Sequence, residues 1–351
     1  MSISIDDIEV CFIWLRDNCR CNECYNWKSN QRNHNDIKID VAKIKSMKND
    51  GNDISITWVD DHESKYNIDW IKIQHQPESK LDQVFWSGQE IENEIPIVSN
   101  QESPEQVARV LTTSLLRYGI GLVKHVPPTL EATAEAVNKL GPVMHTLYGG
   151  MWCVQTDREF EKYQDTAYTA QELSVHTDNT YFIEPAGLQI FHCIEAAQQG
   201  GDTLLVDGFK AARTLKEKYP MSYECLKQTP IEWQYISDQN HYTCTKPIIN
   251  CSAQSKEIEQ IRYNIYDRSP RLYPFRNERN ILYQSVKRFR DIVNEKNYQW
   301  KLQLTPGTVI FINNWRVLHG RTAFTGNRVL VGCYMGMNAL LSKARILKLI
   351  V

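Results

Sequence analysis

Three residues far apart in the chain place the tightest limit on how it can fold. His176-Thr177-Asp178 carries an imidazole and a carboxylate two positions apart. A second imidazole, His319, follows much later in Asn314-Trp315-Arg316-Val317-Leu318-His319-Gly320-Arg321. Two imidazoles and one carboxylate form the facial set that holds non-haem Fe(II) and leaves positions open for cosubstrate and dioxygen. Alternate residues of a strand share a face, so His176 and Asp178 can address one ion while Thr177 turns away. In a chain with 9 histidines, a hydrogen-bonding turn plus a packed imidazole is the plain alternative. Context favours the metal. Pro306-Gly307 is a turn signal, Thr308-Val-Ile-Phe-Ile312 reads as a strand ending in Asn313 and Asn314, and a strand ending near His319 is where a barrel would present a ligand.

At 351 residues the chain can bury one large core and still leave room for a smaller unit. A net charge of -2 and a pI near 6.5 give no electrostatic case for nucleic acid or an anionic membrane. No apolar run approaches the about 20 residues that span a bilayer. The start, Met-Ser-Ile-Ser-Ile-Asp-Asp, reads as neither a signal peptide nor an Arg-rich presequence. The 10 cysteines are too few for a disulfide scaffold, and Cys153, Cys193, Cys225, Cys244, Cys251 and Cys333 read as ordinary reduced thiols.

Three of the other four cysteines cluster. Cys19-x-Cys21-x2-Cys24 sets three soft ligands together, and His62 follows Asp60-Asp61 just past the strand-like Ile54-Ser-Ile-Thr-Trp58. Three thiolates and an imidazole close a tetrahedral zinc site with no position left for water. The ion would supply stability that so small a unit lacks. His34 and His75 are alternative fourth ligands, and the metal-free alternative is three reduced thiols.

These signals divide the chain into a zinc-binding domain with its connector, residues 1–95, and a main domain, residues 96–351. Within the latter, Pro104, an apolar stripe and Gly119 predict a helix over 104–118, with further helices near 209–226 and 281–296. Strands are predicted at 120–123, 187–193, 203–206, 261–265, 309–312 and 329–334. The fold class is mainly β with flanking helices, a jelly-roll barrel, because strands and helices do not alternate as in a parallel α/β sheet.

The runs Trp14 to Tyr25, Asp165-Thr-Ala-Tyr168, Val175-His-Thr-Asp178, Asn314 to Arg321 and Gly332-Cys-Tyr334 resemble the γ-butyrobetaine and trimethyllysine dioxygenases of carnitine biosynthesis, in the same order and over almost the whole chain. The resemblance implies an Fe(II) and 2-oxoglutarate dependent hydroxylase activated by ascorbate. It also implies a double-stranded β-helix, an N-terminal zinc domain, a homodimer, and a place in the mitochondrial matrix or the cytoplasm. Carried over, His176, Asp178 and His319 bind iron, and Arg328 grips the distal carboxylate of 2-oxoglutarate. Cys19, Cys21, Cys24 and His62 bind zinc. Tyr148, Trp152, Tyr168 and Tyr334 form an aromatic box for a trimethylammonium head, with Tyr181 and Tyr266 as supplementary residues. A quaternary ammonium donates no hydrogen bond, so ring faces must recognise it, at roughly 0.5 to 2 kcal/mol per contact. Asp165 stands where the butyrobetaine enzymes carry asparagine. Beside a lone carboxylate it would repel, whereas beside an α-ammonium it forms a charged hydrogen bond. With Thr180 to Pro185 and Tyr263 to Arg268, it points to the trimethyllysine branch. The alternatives are butyrobetaine, another small quaternary amine, and a non-enzymatic reader of methylated lysine.

Overall fold

The computed structural model describes residues 1–75, 81–155, 169–271 and 279–350, which fall into two compact units, Met1–Ser79 and Lys80–Val351. Both mix strands and helices.

The first unit opens on a hairpin, Ser2–Ile5 with Ile8–Cys11, whose two turn residues Asp6 and Asp7 both have positive φ (45° and 67°). That conformation matches the twist of a two-residue turn, and Asp tolerates it. A three-stranded antiparallel meander follows, of Ile44–Asp50, Asp53–Trp58 and Glu63–Asn67. Strict alternation in the middle strand buries Ile54, Ile56 and Trp58 on one face, where they meet Val10, Leu15, Tyr66 and Ile71. The predicted strand at 54–58 is present.

The second unit is built in layers. A six-stranded sheet runs Met151–Gln155, Val329–Met335, Leu188–Glu195, Val309–Asn313, Ile120–Lys124, Ile97–Ser99, antiparallel except for the last pair. A four-stranded antiparallel sheet runs Leu173–His176, Val317–Arg321, Thr203–Asp207, Trp300–Leu302. The strand Val309–Asn313 shows why both of its faces are covered. Val309 and Phe311 pack with the helices Pro104–Tyr118 and Leu130–Asn138, while Ile310 and Ile312 pack with Leu205, Val317 and Trp300 of the smaller sheet. Its unbroken apolar run is what burial on two faces requires. The far face of the smaller sheet, with Val175, Leu204, Val206 and Leu318, is covered by the helices Gly208–Lys218, Pro220–Gln228 and Arg279–Val293.

Several elements match expectation and two need correction. The helix at 104–118 starts with Ser103 accepting from the Gln106 amide and stops at Gly119, φ 78°. The single helix expected over 209–226 is two, broken where Pro220 lacks an N–H and bars Tyr219 from helical geometry. The strand expected at 261–265 ends at Ile261. Beyond it, the Arg262 amide donates to the Ile248 carbonyl and the Tyr263 amide to Thr177 Oγ1, so separate partners replace a ladder. Among the described residues no helix is long and apolar enough to cross a membrane.

Candidate active site

Neighbouring strands of the smaller sheet deliver the two histidines. His176 is the last residue of Leu173–His176 and sits directly across from His319 in Val317–Arg321. The strand read from Thr308 ends at Asn313, as expected, and His319 lies beyond it. A tight turn, with the Arg316 amide on the Asn313 carbonyl and the Trp315 amide on Asn313 Oδ1, starts a new strand with His319 at its centre. Gly320 lets the two strands approach, since a Cβ there would meet the Leu173 carbonyl oxygen at 2.5 Å. Asp178 lies just past the strand end. Asn314 holds it there: its Oδ1 accepts from the Asp178 amide at 2.8 Å, and its Nδ2 donates to the Asp178 and Ala186 carbonyls at 3.1 and 2.9 Å.

The three side chains converge. Asp178 Oδ1 lies 3.3 Å from His176 Nε2 and 3.6 Å from His319 Nε2, and the candidate ligand atoms all fall within 4.8 Å of one another. His176 Nδ1 meets the Ser174 carbonyl at 2.7 Å. That bond puts the proton on Nδ1 and leaves the Nε2 lone pair facing inward. Tyr334 donates its hydroxyl to Asp178 Oδ2 at 2.9 Å. Burial works against the Asp178 carboxylate, but His319, His176 and Tyr334 outweigh it and pull its pKa down to about 2. Burial pushes His319 down to about 4, so its imidazole is neutral near pH 7. For His176, burial also opposes charge, but contact with Asp178 prevails and its pKa is raised. A buried carboxylate and two imidazole Nε2 atoms converging on one point are suited to a divalent cation, which would take the place of a proton between them.

Above this cluster is a cavity of about 140 Å³. Arg328 lines it, is buried, and has no carboxylate partner among the described residues. Desolvation lowers its pKa to about 10, which leaves it charged at neutral pH. Arg321, alongside, is tied to the Thr169 and Gln171 carbonyls at 2.6 and 2.8 Å. On another wall the Trp152 and Tyr334 rings stand 5.7 Å apart and Tyr148 lies 6.5 Å from Tyr334. Gly332 makes room for Trp152, whose ring carbon lies only 2.0 Å from where a Cβ would be. The structure thus brings together Tyr148, Trp152, Tyr334 and Arg328 around the triad. Asp165 and Tyr168 lie outside the described residues.

Among the cavity residues that were not anticipated are Tyr235, Asn264 and Asp267. Tyr235, from the hairpin Ile231–Ile236 with His241–Lys246, stands 5.2 Å from Tyr181 and 6.4 Å from Tyr148. Asn264 and Asp267 come from the irregular stretch after Ile261. No local spacing marks Tyr235; the segment carrying the other two reads in part as a strand and resembles a family, but neither signal singles out Asn264 or Asp267. Tyr266, expected as a supplementary residue, lines the cavity and accepts from the Ser174 amide at 3.1 Å.

In the first unit His62 Nε2 lies 3.4, 3.7 and 3.6 Å from the sulfurs of Cys19, Cys21 and Cys24. Tetrahedral zinc with ordinary bond lengths would separate sulfur and nitrogen by roughly 3.6 Å. Arg16 backs the cluster, donating to Cys24 Sγ at 3.7 Å and to Asp60 at 3.1 Å. His34 and His75 are not part of this group.

Comparison with known proteins agrees with this geometry. A family model described as Taurine catabolism dioxygenase TauD, TfdA family matches residues 80–334, and one described as Gamma-butyrobetaine hydroxylase-like, N-terminal matches residues 2–72. The mitochondrial trimethyllysine dioxygenase of Rattus norvegicus is 38% identical over 359 residues, covering 96% of this chain and 82% of that protein. The gamma-butyrobetaine dioxygenase of Pongo abelii is 29% identical over 363 residues, covering 96% and 90%. Among solved structures, a taurine dioxygenase from Burkholderia xenovorans aligns with a TM-score of 0.51 at 15% identity, covering 67% of this chain and 83% of that one. An asparagine oxygenase with Fe(II), 2S,3S-3-hydroxyasparagine and succinate aligns with a TM-score of 0.51 at 13% identity, covering 69% and 93%. At such identities these structures speak to the fold alone. The chain is a member of the TauD, TfdA dioxygenase family and, within it, of the trimethyllysine dioxygenase family.

Proposed function

We propose that this chain hydroxylates C3 of free N6,N6,N6-trimethyl-L-lysine while 2-oxoglutarate is oxidatively decarboxylated to succinate and CO2. The observation that carries the reading is one cavity with three features: a converging His176–Asp178–His319 triad, the buried cation Arg328, and the ring wall of Tyr148, Trp152 and Tyr334. The 38% identity to the rat trimethyllysine dioxygenase supports the choice of substrate.

In this reading His176, Asp178 and His319 hold Fe(II), which when bound supplies the activation of dioxygen. Arg328 takes the distal carboxylate of 2-oxoglutarate through its rigid fork. Tyr148, Trp152, Tyr168 and Tyr334 face the trimethylammonium head, and Asp165 serves the amino-acid end. The protein supplies orientation, because anchors at both ends of a flexible chain decide which carbon faces the metal. The two sheets of the second unit act as a double-stranded β-helix, residues 96–351. Cys19, Cys21, Cys24 and His62 hold a structural Zn(II) in residues 1–95. Ascorbate activates by keeping iron reduced, the assembly is a homodimer, and the compartment is the mitochondrial matrix or the cytoplasm.

The test is anaerobic pure protein with Fe(II), 2-oxoglutarate and ascorbate, then air, with trimethyllysine and butyrobetaine compared at equal concentration by product mass. Faster turnover of trimethyllysine is expected; faster turnover of butyrobetaine would reverse the assignment.

A further inference from the structure

We infer that Asp267 accepts hydrogen bonds from the substrate's α-ammonium group and so makes the site selective for an amino acid, an inference that rests on trimethyllysine being the substrate. Among the described residues lining the cavity, the carboxylates are Asp178 and Asp267. Asp178 is committed, with one oxygen toward the two imidazoles and the other on the Tyr334 hydroxyl. Asp267 is held in place from two sides. Its carbonyl accepts from the Gln234 amide at 2.8 Å, and its Oδ2 accepts from Thr180 Oγ1 at 2.6 Å. The preceding residue, Tyr266, reaches the metal-ligating strand, with its ring 6.4 Å from that of His176 and its hydroxyl on the Ser174 amide.

The substrate's covalent structure says what is needed there. If C3 faces the metal, C2 with its ammonium and carboxylate is one bond away, while the trimethylammonium nitrogen lies at the far end of the chain. The amino-acid end must therefore settle beside the triad. A primary ammonium carries three N–H donors, which ring faces cannot satisfy. A carboxylate oxygen has lone pairs to spare even while it holds a threonine hydroxyl. Against the quaternary head the same carboxylate would lose water and gain no hydrogen bond. Beside butyrobetaine, which brings only a carboxylate to this end, it would repel. Three donors leave room for a second acceptor, so Asp267 does not displace Asp165.

The experiment compares trimethyllysine with 6-(trimethylammonio)hexanoate, the same molecule without its α-amino group. It uses the wild type, Asp267→Asn, and Thr180→Val, which removes the brace but keeps the carboxylate. The wild type is expected to prefer trimethyllysine by at least about tenfold in kcat/KM, consistent with a hydrogen bond to a charged group. Asp267→Asn should raise KM for trimethyllysine by about 10- to 100-fold and change KM for the hexanoate less than about twofold. Thr180→Val should keep the preference. Equal losses on both substrates in Asp267→Asn would overturn the inference and leave Asp267 as a brace or a partner of the head group. If Asp267→Asn does not fold, the wild type decides, because equal kcat/KM on the two substrates overturns the inference by itself. A wild type that hydroxylates trimethyllysine without such a preference refutes the role of Asp267 alone; one that does not hydroxylate it refutes the proposed function.

Discussion

The two clusters of side chains that could hold a metal ion are positioned in opposite ways. At Cys19, Cys21, Cys24 and His62 the donors complete their own site. A tight turn carries the cysteines, with the Cys24 and Tyr25 amides on the Cys21 carbonyl at 3.1 and 2.9 Å, and a second turn through Asp61 at φ 61° returns His62. At His176, Asp178 and His319 the set is one of three, and the neighbours supply its orientation: the Ser174 carbonyl on one imidazole, Asn314 on the backbone of Asp178, and Tyr334 on its carboxylate. A closed set of soft donors fixes its ion by number and geometry, whereas an open set depends on what surrounds it.

The largest effects should come from taking one donor from each. Asp178→Ala should lose iron and lower coupled turnover by about 10^3-fold or more, since a catalytic metal contributes several kcal/mol of charge stabilisation. Zinc should remain. Cys21→Ser should do the reverse at the other site. Structural zinc contributes roughly 10–16 kcal/mol to small zinc domains, so the first unit should unfold and become sensitive to protease. Elemental analysis of both variants checks the contrast; a variant that loses both metals would break it.

The next effect concerns how His319 is brought to its place. Arg316, in the turn that starts its strand, makes a buried two-pronged pair with Asp207 at 3.1 and 2.7 Å. It also donates to the Arg117 carbonyl at 2.8 Å and to that of Val84. Asp207 in turn caps the helix Gly208–Lys218 and accepts from the Trp86 amide. Arg316→Met should cost about 3–5 kcal/mol in urea unfolding, because it strands a buried carboxylate. Arg316→Met with Asp207→Leu should recover much of that. Beside the cluster of three cysteines and His62, Arg16 pairs with an Asp60 that stays 29% exposed. Asp60→Asn should therefore cost less, about 1–2 kcal/mol.

What could be read from the sequence follows from the same contrast. The zinc set is local, written in residue type and close spacing, and the triad is legible because two of its members share one triplet. Strands with strict alternation, such as Asp53–Trp58, or with unbroken apolar runs, such as Val309–Asn313, carry their own signal. Supports that arise only from tertiary contact do not. Asn314 reaches Asp178 across 136 positions, and no spacing rule connects Tyr235 to Tyr148 and Tyr181. The stretch after Ile261 looks like a strand because its residues favour one, but Thr177 and Ile248 claim its backbone separately. The break at Pro220 is different. Its signal is local, and an apolar stripe continuing on both sides obscures it.

Removing one support while keeping all three ligands tests the dependence on surroundings directly. Asn314→Ala deletes the bonds to both sides of the Asp178 backbone and should weaken Fe(II) binding by about 10- to 100-fold, the usual range for outer partners of a metal ligand. Zinc content should not change. Anaerobic Fe(II) titration gives the readout. An affinity equal to the wild type would mean that the strand pairing of His176 and His319 orients the site without help from Asn314.

The smallest effect is also the most discriminating, because Tyr334 belongs both to the triad's surroundings and to the ring wall. Its hydroxyl donates to Asp178 Oδ2 at 2.9 Å while its ring stands 5.7 Å from that of Trp152. Tyr334→Phe removes the first role and keeps the second. Water in the cavity can replace the lost donor, so the cost should be near 1 kcal/mol, about fivefold in Fe(II) affinity. KM for trimethyllysine should stay within about twofold, since the ring face is unchanged. Tyr334→Leu removes both roles and should raise that KM by about 2- to 30-fold, the value of one cation–π contact. If Tyr334→Phe instead raises KM and leaves iron affinity alone, the hydroxyl acts on the substrate and not on the ligand. The open metal site would then rest on Asn314 and Ser174 alone, and the line between the metal's supports and the substrate's wall would have to be redrawn.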